Sequence, residues 1–299
     1  MPLALPRLFS TLFEVFSGLK FTLRDFLQMS KKANIDRSQV QFALSHTAAW
    51  SSKTQIIKNA FLNQEFFLEY QPIVDLVTGS CVAVEALVRW QHPTLGVILP
   101  LDFLPQMKGS EMMQSFDQWV IQQACSDYAQ LNQPDVLLAI NISMNSLDST
   151  NTKAIILETL QAHQIEANQL ILELTETDLP LHPTLSMVDL NQLSESGIQI
   201  AIDDYGTGYS SLSYLKLPIT ILKIDQSFIA GIGQNNKDQL IIESTINLAH
   251  CLDLKVTAEG VETQEQRQFL QTSGCDYAQG FYFSESLSLK DLTAYLLGK

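Results

Sequence analysis

Ile198-Gln-Ile-Ala-Ile-Asp203-Asp204-Tyr205-Gly206-Thr-Gly208-Tyr-Ser-Ser211 is the stretch whose reading decides the fold. Ile198 to Ile202 has the β-branched character of a strand. The run ends on two adjacent carboxylates. A loop with two glycines comes next, then a short helical signal in Tyr209, Leu212 and Leu215. Neighbouring carboxylates repel, and taking them out of water at a strand end is costly without a cation between them. Mg²⁺ and Mn²⁺ favour carboxylate oxygen and fit that need. Taken alone, the stretch reads better as an Asp-Asp turn, with glycine supplying positive φ. The metal reading prevails because a polar group at a strand end recurs along the chain.

On either side of this stretch the hydrophobic period alternates between that of strands and that of helices. A short helix with Ile56, Ile57, Ala60 and Phe61 leads into a strand from Phe66 to Val74. Asp75 to Ser80, containing Thr78-Gly79, is a turn. A second strand, Cys81 to Trp90, comes at hairpin distance, so the first pair is expected to be antiparallel. Met112, Met113, Phe116, Trp119, Val120, Ala124, Tyr128 and Leu131 mark a long amphipathic helix. Strands over 136–141 and 170–175 then alternate with helices over 154–163 and 185–193. Beyond the opening stretch come strands over 219–224, 254–259 and 277–283, and helices over 240–249 and 287–297. Thr263-x-x-Gln266 is a capping box that opens a further helix. Eight strands with helices between most of them predict the α/β class, as a (β/α)₈ TIM-like barrel with one antiparallel strand near the start.

Such barrels place their chemistry at the carboxyl ends of the strands. Those ends read Glu85, Asn141, Glu173, Asp203 with Asp204, Lys223, Glu259 and Gln279. Each sits in an otherwise apolar run, where an unpaired charge is costly. Convergence of the whole set on one mouth is hard to explain structurally. Glu85, Asn141, Glu173 and Asp203 offer oxygen donors to one hard divalent ion. Asp203 can bridge to a second ion that Asp204 and Glu259 also hold. Two such ions clamp the attacking and leaving oxygens of an in-line displacement at phosphorus. Lys223 is the one cation of the set. It can orient the attacking water, accept its proton if desolvation lowers the lysine pKa, contact a phosphate, or simply pair with Asp203 or Asp204.

The bulk composition sets limits. The chain has 299 residues, 46% hydrophobic, enough for one large domain plus an appendage. A formal net charge of -14 argues against a DNA or RNA polymer as partner. Cys81, Cys125, Cys251 and Cys275 form no CxxC pair and read as reduced, buried thiols of a cytoplasmic protein. The five histidines, His92 included, read as structural or surface residues. No apolar run reaches transmembrane length, since Arg7, Glu14, Lys20 and Arg24 interrupt the start. Residues 1–50 form a separate N-terminal helical segment and connector, ahead of a barrel domain over 51–299. In that segment Leu5, Leu8, Phe9, Leu12, Phe13, Phe16, Leu19 and Leu23 recur at helical spacing. The stripe is expected to pack on the main domain or on a second copy of the chain. Peripheral membrane contact through residues 1–30 is the alternative, weakened by the few Lys and Arg on the polar face.

Taken together, these motifs identify a family. The chain resembles the EAL-domain family of cyclic di-GMP phosphodiesterases over roughly residues 55–297. The resemblance lies in Tyr70-Gln-Pro-Ile-Val, Glu85-Ala-Leu-Val-Arg89-Trp-Gln-His-Pro93, Asn141-Ile-Ser and Glu173-Leu-Thr-Glu176. It continues in Asp203-Asp-Tyr-Gly-Thr-Gly-Tyr-Ser-Ser, Lys223-Ile-Asp225, Ala258-Glu-Gly-Val-Glu262-Thr and Gln279-Gly-Phe-Tyr-Phe-Ser. It implies Mg²⁺- or Mn²⁺-dependent hydrolysis of cyclic di-GMP to the linear dinucleotide pGpG, with two ions per site. It implies Glu85, Asn141, Glu173, Asp203, Asp204 and Glu259 as the metal set, with Lys223 near the nucleophilic water and Gln279 in the site. Arg89 matches an arginine that meets a substrate phosphate, and Gln71 lies where the family contacts substrate. Glu176 matches a glutamate that steadies the loop after Asp204, and that loop links the site to a homodimer interface.

The chain departs from the family pattern in places. Met107-Lys108 stands where a small residue and a glutamate are usual, and Glu111 where glycine is usual. Tyr205 replaces the commoner phenylalanine, and Ser284-Glu285-Ser286 lacks the usual proline. A non-catalytic relative that binds cyclic di-GMP or a protein partner is the main alternative. Another metal-dependent barrel hydrolase or lyase is a third. The complete metal set favours the enzyme.

Overall fold

The computed structural model describes residues 54–108, 110–147, 150–176, 186–207 and 212–298. The N-terminal stripe over 5–23 and the Gly208–Ser211 end of the opening stretch lie outside the described residues. The chain divides into two compact units, Met1–Ile57 and Lys58–Lys299. The second unit carries the strands.

Nine strands occur among its described residues: β1 (Phe66–Asp75), β2 (Cys81–His92), β3 (Gly96–Ile98), β4 (Leu137–Asn141), β5 (Leu170–Thr175), β6 (Gln199–Tyr205), β7 (Ile221–Ile224), β8 (Lys255–Ala258) and β9 (Tyr277–Ala278). Eight of them close a barrel, in the order β1, β2, β4, β5, β6, β7, β8, β9 and back to β1. β1 pairs antiparallel with both β2 and β9, and β2 and β4 to β9 run parallel. The fold is thus a TIM-like α/β barrel in which β1 is the reversed strand. β3 was not anticipated from sequence. It is three residues long, pairs antiparallel with the far end of β2, and takes no part in closing the barrel.

The longer helices are α1 (Glu111–Leu131), α2 (Thr150–His163), α3 (Ser186–Glu195), α4 (Asn236–Cys251), α5 (Gln264–Thr272) and α6 (Leu289–Leu296). The capping box at α5 is present, with Thr263 and Gln266 satisfying each other's backbone N–H groups. Burial in β5 is unbroken from Leu170 to Leu174, as expected of a strand covered on both faces.

A layer of inward residues fixes where the site sits. Ile73, Ala83, Ala139, Ile171, Ala201 and Ile221 form one buried cluster, one residue from each of six barrel strands, with Tyr277 packed against it. Side chains two residues apart on a strand share a face. Two positions further toward the mouth therefore stand Glu85, Asn141, Glu173, Asp203 and Lys223. On reversed β1 the step runs backwards, from Ile73 to Gln71, and the register pairs Gln71 with Glu85. The same step takes Thr257 to Glu259 and Tyr277 to Gln279. An apolar floor and a polar mouth are thus consecutive layers of one barrel.

Three expectations need correction. Glu85 is not at the end of its strand. β2 continues seven residues beyond it, because the β1–β2 ribbon extends past the last parallel pair, Ala86 with Ile140. The final strand ends at Ala278 rather than at Phe283. There the chain turns onto the Val261 backbone, with Val261 N–H donating to Gln279 O at 3.0 Å and Tyr282 N–H donating to Val261 O at 2.9 Å. Gly280 permits the approach: a Cβ there would lie 2.3 Å from Val261 backbone atoms, and its φ is 151°. The thiols also differ from expectation, since Cys125 and Cys275 are buried but Cys251 is exposed.

Candidate metal centre

Lys223 is the centre of the site. Its side chain is 1% exposed. Nζ lies 2.8 Å from Glu259, 2.9 Å from Glu173, 3.3 Å from Asp203 and 3.4 Å from Glu85. Burial disfavours a charged amine, but these four carboxylates overcome it and hold the lysine well above its ordinary range. Accepting a proton from water would need a lowered lysine pKa. With no ions bound, the shift runs the other way and favours the ammonium.

The carboxylates divide into two groups. Glu85, Glu173 and Asp203 bring one oxygen each within 4.8 Å of one another, and so do Asp203, Asp204 and Glu259. Asp203 belongs to both. Asn141 donates to Glu85 Oε1 at 2.6 Å, and Gln279 Nε2 donates to Glu85 Oε2 at 2.7 Å and to Gln71 Oε1 at 2.9 Å. The buried Oε1 of Gln279 has no hydrogen-bond partner among the described residues.

A local irregularity of β6 brings both aspartates to the same mouth. Its register with β7 breaks between Ile202 and Tyr205, and Asp204 takes a left-handed φ of 55°. Without that bulge, neighbouring residues of a strand face opposite ways. The loop beyond is tethered by Glu176, whose carboxylate accepts the Gly206 N–H at 2.9 Å.

Electrostatics bear on whether cations fit here. Burial raises the Asp204 carboxyl to about 6, with further upward pressure from Asp203 and Asp225. Burial likewise pushes Glu173 and Glu259 well above the carboxylate range, with neighbouring Glu85 and Asp203 adding to the effect. Glu85 goes the other way: burial opposes its charge, but Lys223, Gln279 and Asn141 outweigh that. Five carboxylates face one ammonium, so full ionisation leaves four uncompensated negative charges in a poorly hydrated place. Protons or cations must relieve them, and two divalent ions carry a matching charge. All-oxygen donors suit Mg²⁺ and Mn²⁺.

Arg89 stands four residues beyond Glu85 on the projecting ribbon. Its guanidinium pairs with Glu69 at 2.9 Å and donates to Ser286 Oγ at 3.0 Å. Gln71 Nε2 donates to Ser284 O at 3.1 Å. The barrel thus gathers Glu85, Asn141, Glu173, Asp203, Asp204, Lys223, Glu259, Gln279 and Gln71 at one mouth. Sequence reasoning missed Asp117 and Glu69. Buried Asp117 on α1 accepts from Ser143 N, Ser143 Oγ and Ser146 Oγ, pinning the turn after Asn141. The only signal was a charge within an amphipathic helix face, between Phe116 and Val120.

An eight-stranded α/β barrel with a buried acidic cluster able to hold metal at its mouth defines the class. Within that class, the chain belongs to the EAL-domain family of cyclic di-GMP phosphodiesterases, whose model (EAL domain) matches residues 54–286. The chain is 36% identical over 273 residues to the bifunctional diguanylate cyclase/cyclic di-GMP phosphodiesterase MucR of Pseudomonas aeruginosa, covering 90% of this chain and 38% of MucR. It is 35% identical over 251 residues to cyclic di-GMP phosphodiesterase PA2567 of the same organism, covering 83% of this chain and 43% of PA2567. The chain therefore spans about two fifths of the length of these curated relatives.

Solved structures agree on the fold. The EAL enzyme Bd1971, bound to cAMP and cyclic di-GMP, superposes with a TM-score of 0.82 at 30% identity, over 95% of this chain and 78% of that one. The MucR phosphodiesterase in complex with c-di-GMP gives 0.77 at 36% identity, over 81% and 99%. Klebsiella pneumoniae BlrP1, in a manganese/cy-diGMP complex, gives 0.68 at 30% identity, over 75% and 56%. No helix among the described residues is long and apolar enough to cross a membrane.

Proposed function

We propose that the chain hydrolyses one phosphodiester of cyclic di-GMP to the linear dinucleotide pGpG, with Mg²⁺ or Mn²⁺ at two positions. The observation that carries this reading is the pair of acidic groups that share Asp203 around a buried Lys223. In this reading Glu85, Asn141, Glu173 and Asp203 hold one ion, and Asp203, Asp204 and Glu259 hold the other. Bound there, the ions lower the proton affinity of a water and offset negative charge developing at phosphorus.

The chain's own residues do the rest. Lys223 Nζ, kept protonated, donates a hydrogen bond that orients the attacking water. Glu85 and Glu259 fix that ammonium from two sides of the barrel. Arg89, Gln71 and Gln279 hold the dinucleotide. Glu176 keeps the loop after Asp204 in place through the Gly206 N–H. The same reading takes residues 51–299 as the catalytic domain, residues 1–50 as an appended segment, and a cytoplasmic homodimer as the working form.

The test is a chromatographic assay of cyclic di-GMP with the purified chain, in Mg²⁺, in Mn²⁺ and in chelator, beside a Glu85→Ala control. Metal-dependent appearance of pGpG, absent in the control, is the expected result. Tight binding of cyclic di-GMP without product in either metal would replace the hydrolase with a non-catalytic sensor.

A further inference from the structure

Ser286 lies in the segment Ser284-Glu285-Ser286, where the usual proline is missing. Its hydroxyl joins two charged side chains. Ser286 Oγ donates to Glu69 Oε2 at 2.7 Å and accepts from Arg89 Nη2 at 3.0 Å. Arg89 Nε donates to the same Glu69 oxygen at 2.9 Å. The three side chains form a closed ring over the β1–β2 ribbon, and Arg89 is only 11% exposed.

We propose that Ser286, together with Glu69, is a positioning residue that fixes the Arg89 guanidinium to receive a phosphate of the substrate. A guanidinium carries five N–H groups in a rigid fork. Among the described residues, Nε–H goes to Glu69, one Nη1–H to Val88 O at 3.0 Å and one Nη2–H to Ser286. Each terminal nitrogen keeps one N–H, which together suit the bidentate grip of two phosphate oxygens. Three anchored bonds hold the fork in one orientation, so less side-chain entropy is lost when an anion binds.

The backbone around Ser286 is held independently of its hydroxyl. Tyr70 and Leu287 exchange two backbone hydrogen bonds of 2.8 Å, and Gln71 Nε2 reaches Ser284 O. Removing the hydroxyl therefore takes away one of the three anchors of Arg89 without moving the chain. A proline in place of Ser286 lacks this donor and acceptor.

This role rests on the reading of Arg89 as a phosphate contact, and the experiment separates the two. KM and kcat for cyclic di-GMP with Mn²⁺, its Kd in chelator by calorimetry, and the melting temperature are measured for the full chain and for Ser286→Ala and Ser286→Thr. Ser286→Ala is expected to raise KM and Kd about five- to tenfold, the scale of one typical net hydrogen bond, with kcat and melting temperature little changed. Ser286→Thr, which keeps the hydroxyl, is expected to restore both constants. Unchanged KM and Kd in Ser286→Ala, or a threonine variant as weak as alanine, overturns the role while leaving hydrolysis intact. If the parent binds cyclic di-GMP without cleaving it, hydrolysis fails and the Kd series alone decides the role of Ser286. If the parent does not bind cyclic di-GMP, both fall.

Discussion

Asp203 Oδ1 accepts the backbone N–H of Asp204 at 2.9 Å, so the first aspartate holds the second in its left-handed conformation. The bond explains how two carboxylates adjacent in sequence serve two acidic groups at once. Asp204→Asn keeps size and backbone and removes one charge. It is expected to weaken the second divalent ion by at least about tenfold, a usual scale for disturbing a metal site. Calorimetric titration with Mn²⁺ would show two binding events in the parent and one clear event in the variant.

Metal-free stability should depend on pH with a defined sign. Asp204, Glu173 and Glu259 all have folded-state pKa values above their ordinary ones, Asp204 reaching about 6. A carboxylate raised in this way contributes stability below its unfolded pKa and loses it as pH rises through the folded value. In chelator, the melting temperature is expected to be higher at pH 5.5 than at pH 7.5, and Mn²⁺ to reverse that order by neutralising the ionised cluster. Thermal scans at both pH values, with and without Mn²⁺, measure it. A lower melting temperature at pH 5.5 in chelator would contradict the cluster's net repulsion.

Lys223→Met removes the cation from a buried acidic cluster. Breaking a buried ion pair by deleting one partner costs about 3–5 kcal/mol, because the other charge stays buried. Denaturant unfolding in chelator should show a loss of that order, smaller when Mn²⁺ is present. Turnover in Mn²⁺ should be abolished.

Asp117→Ala leaves the donors of Ser143 and Ser146 without their acceptor just past Asn141. Several lost bonds to a buried carboxylate should cost about 2–4 kcal/mol. Turnover of the folded fraction should fall as well, since Asn141 sits two residues before the released turn. Asp117→Asn, which keeps an acceptor oxygen, is expected to fall between. Urea unfolding and a specific activity of the three proteins check the order.

Gly280→Ala places a Cβ 2.3 Å from the Val261 backbone. The clash cannot be relieved by a flexible side chain, so a loss of about 2 kcal/mol is expected, within the usual range for overpacking. Gln279 sits next in sequence, and the variant should therefore lose activity beyond its loss of stability. A melting curve and a specific activity, taken together, check both.

The sequence by itself determined the strand and helix rhythm, the eight-strand count of the barrel and the identity of the mouth residues. The physical reason is that a charged group in an apolar strand is costly unless it has a partner, so Glu85, Glu173 and Lys223 stand out from their neighbours. Period-two patterning on parallel strands then aligns such residues in one layer. Only the tertiary structure decided three other things. That β1 also pairs with β9, which makes it the reversed strand and puts Gln71 on the step before Ile73, comes from barrel closure. The meeting of Asp203 and Asp204 in one acidic group comes from a bulge and a positive φ, neither of which has a periodicity. The direction of the Lys223 pKa shift in the ion-free site was the third. Burial alone predicts a lowered pKa for a lysine. The carboxylates that reverse it come from other strands, with Glu173 50 positions away in the chain and Glu85 138. Contacts of that kind are set by barrel closure, which no local pattern encodes.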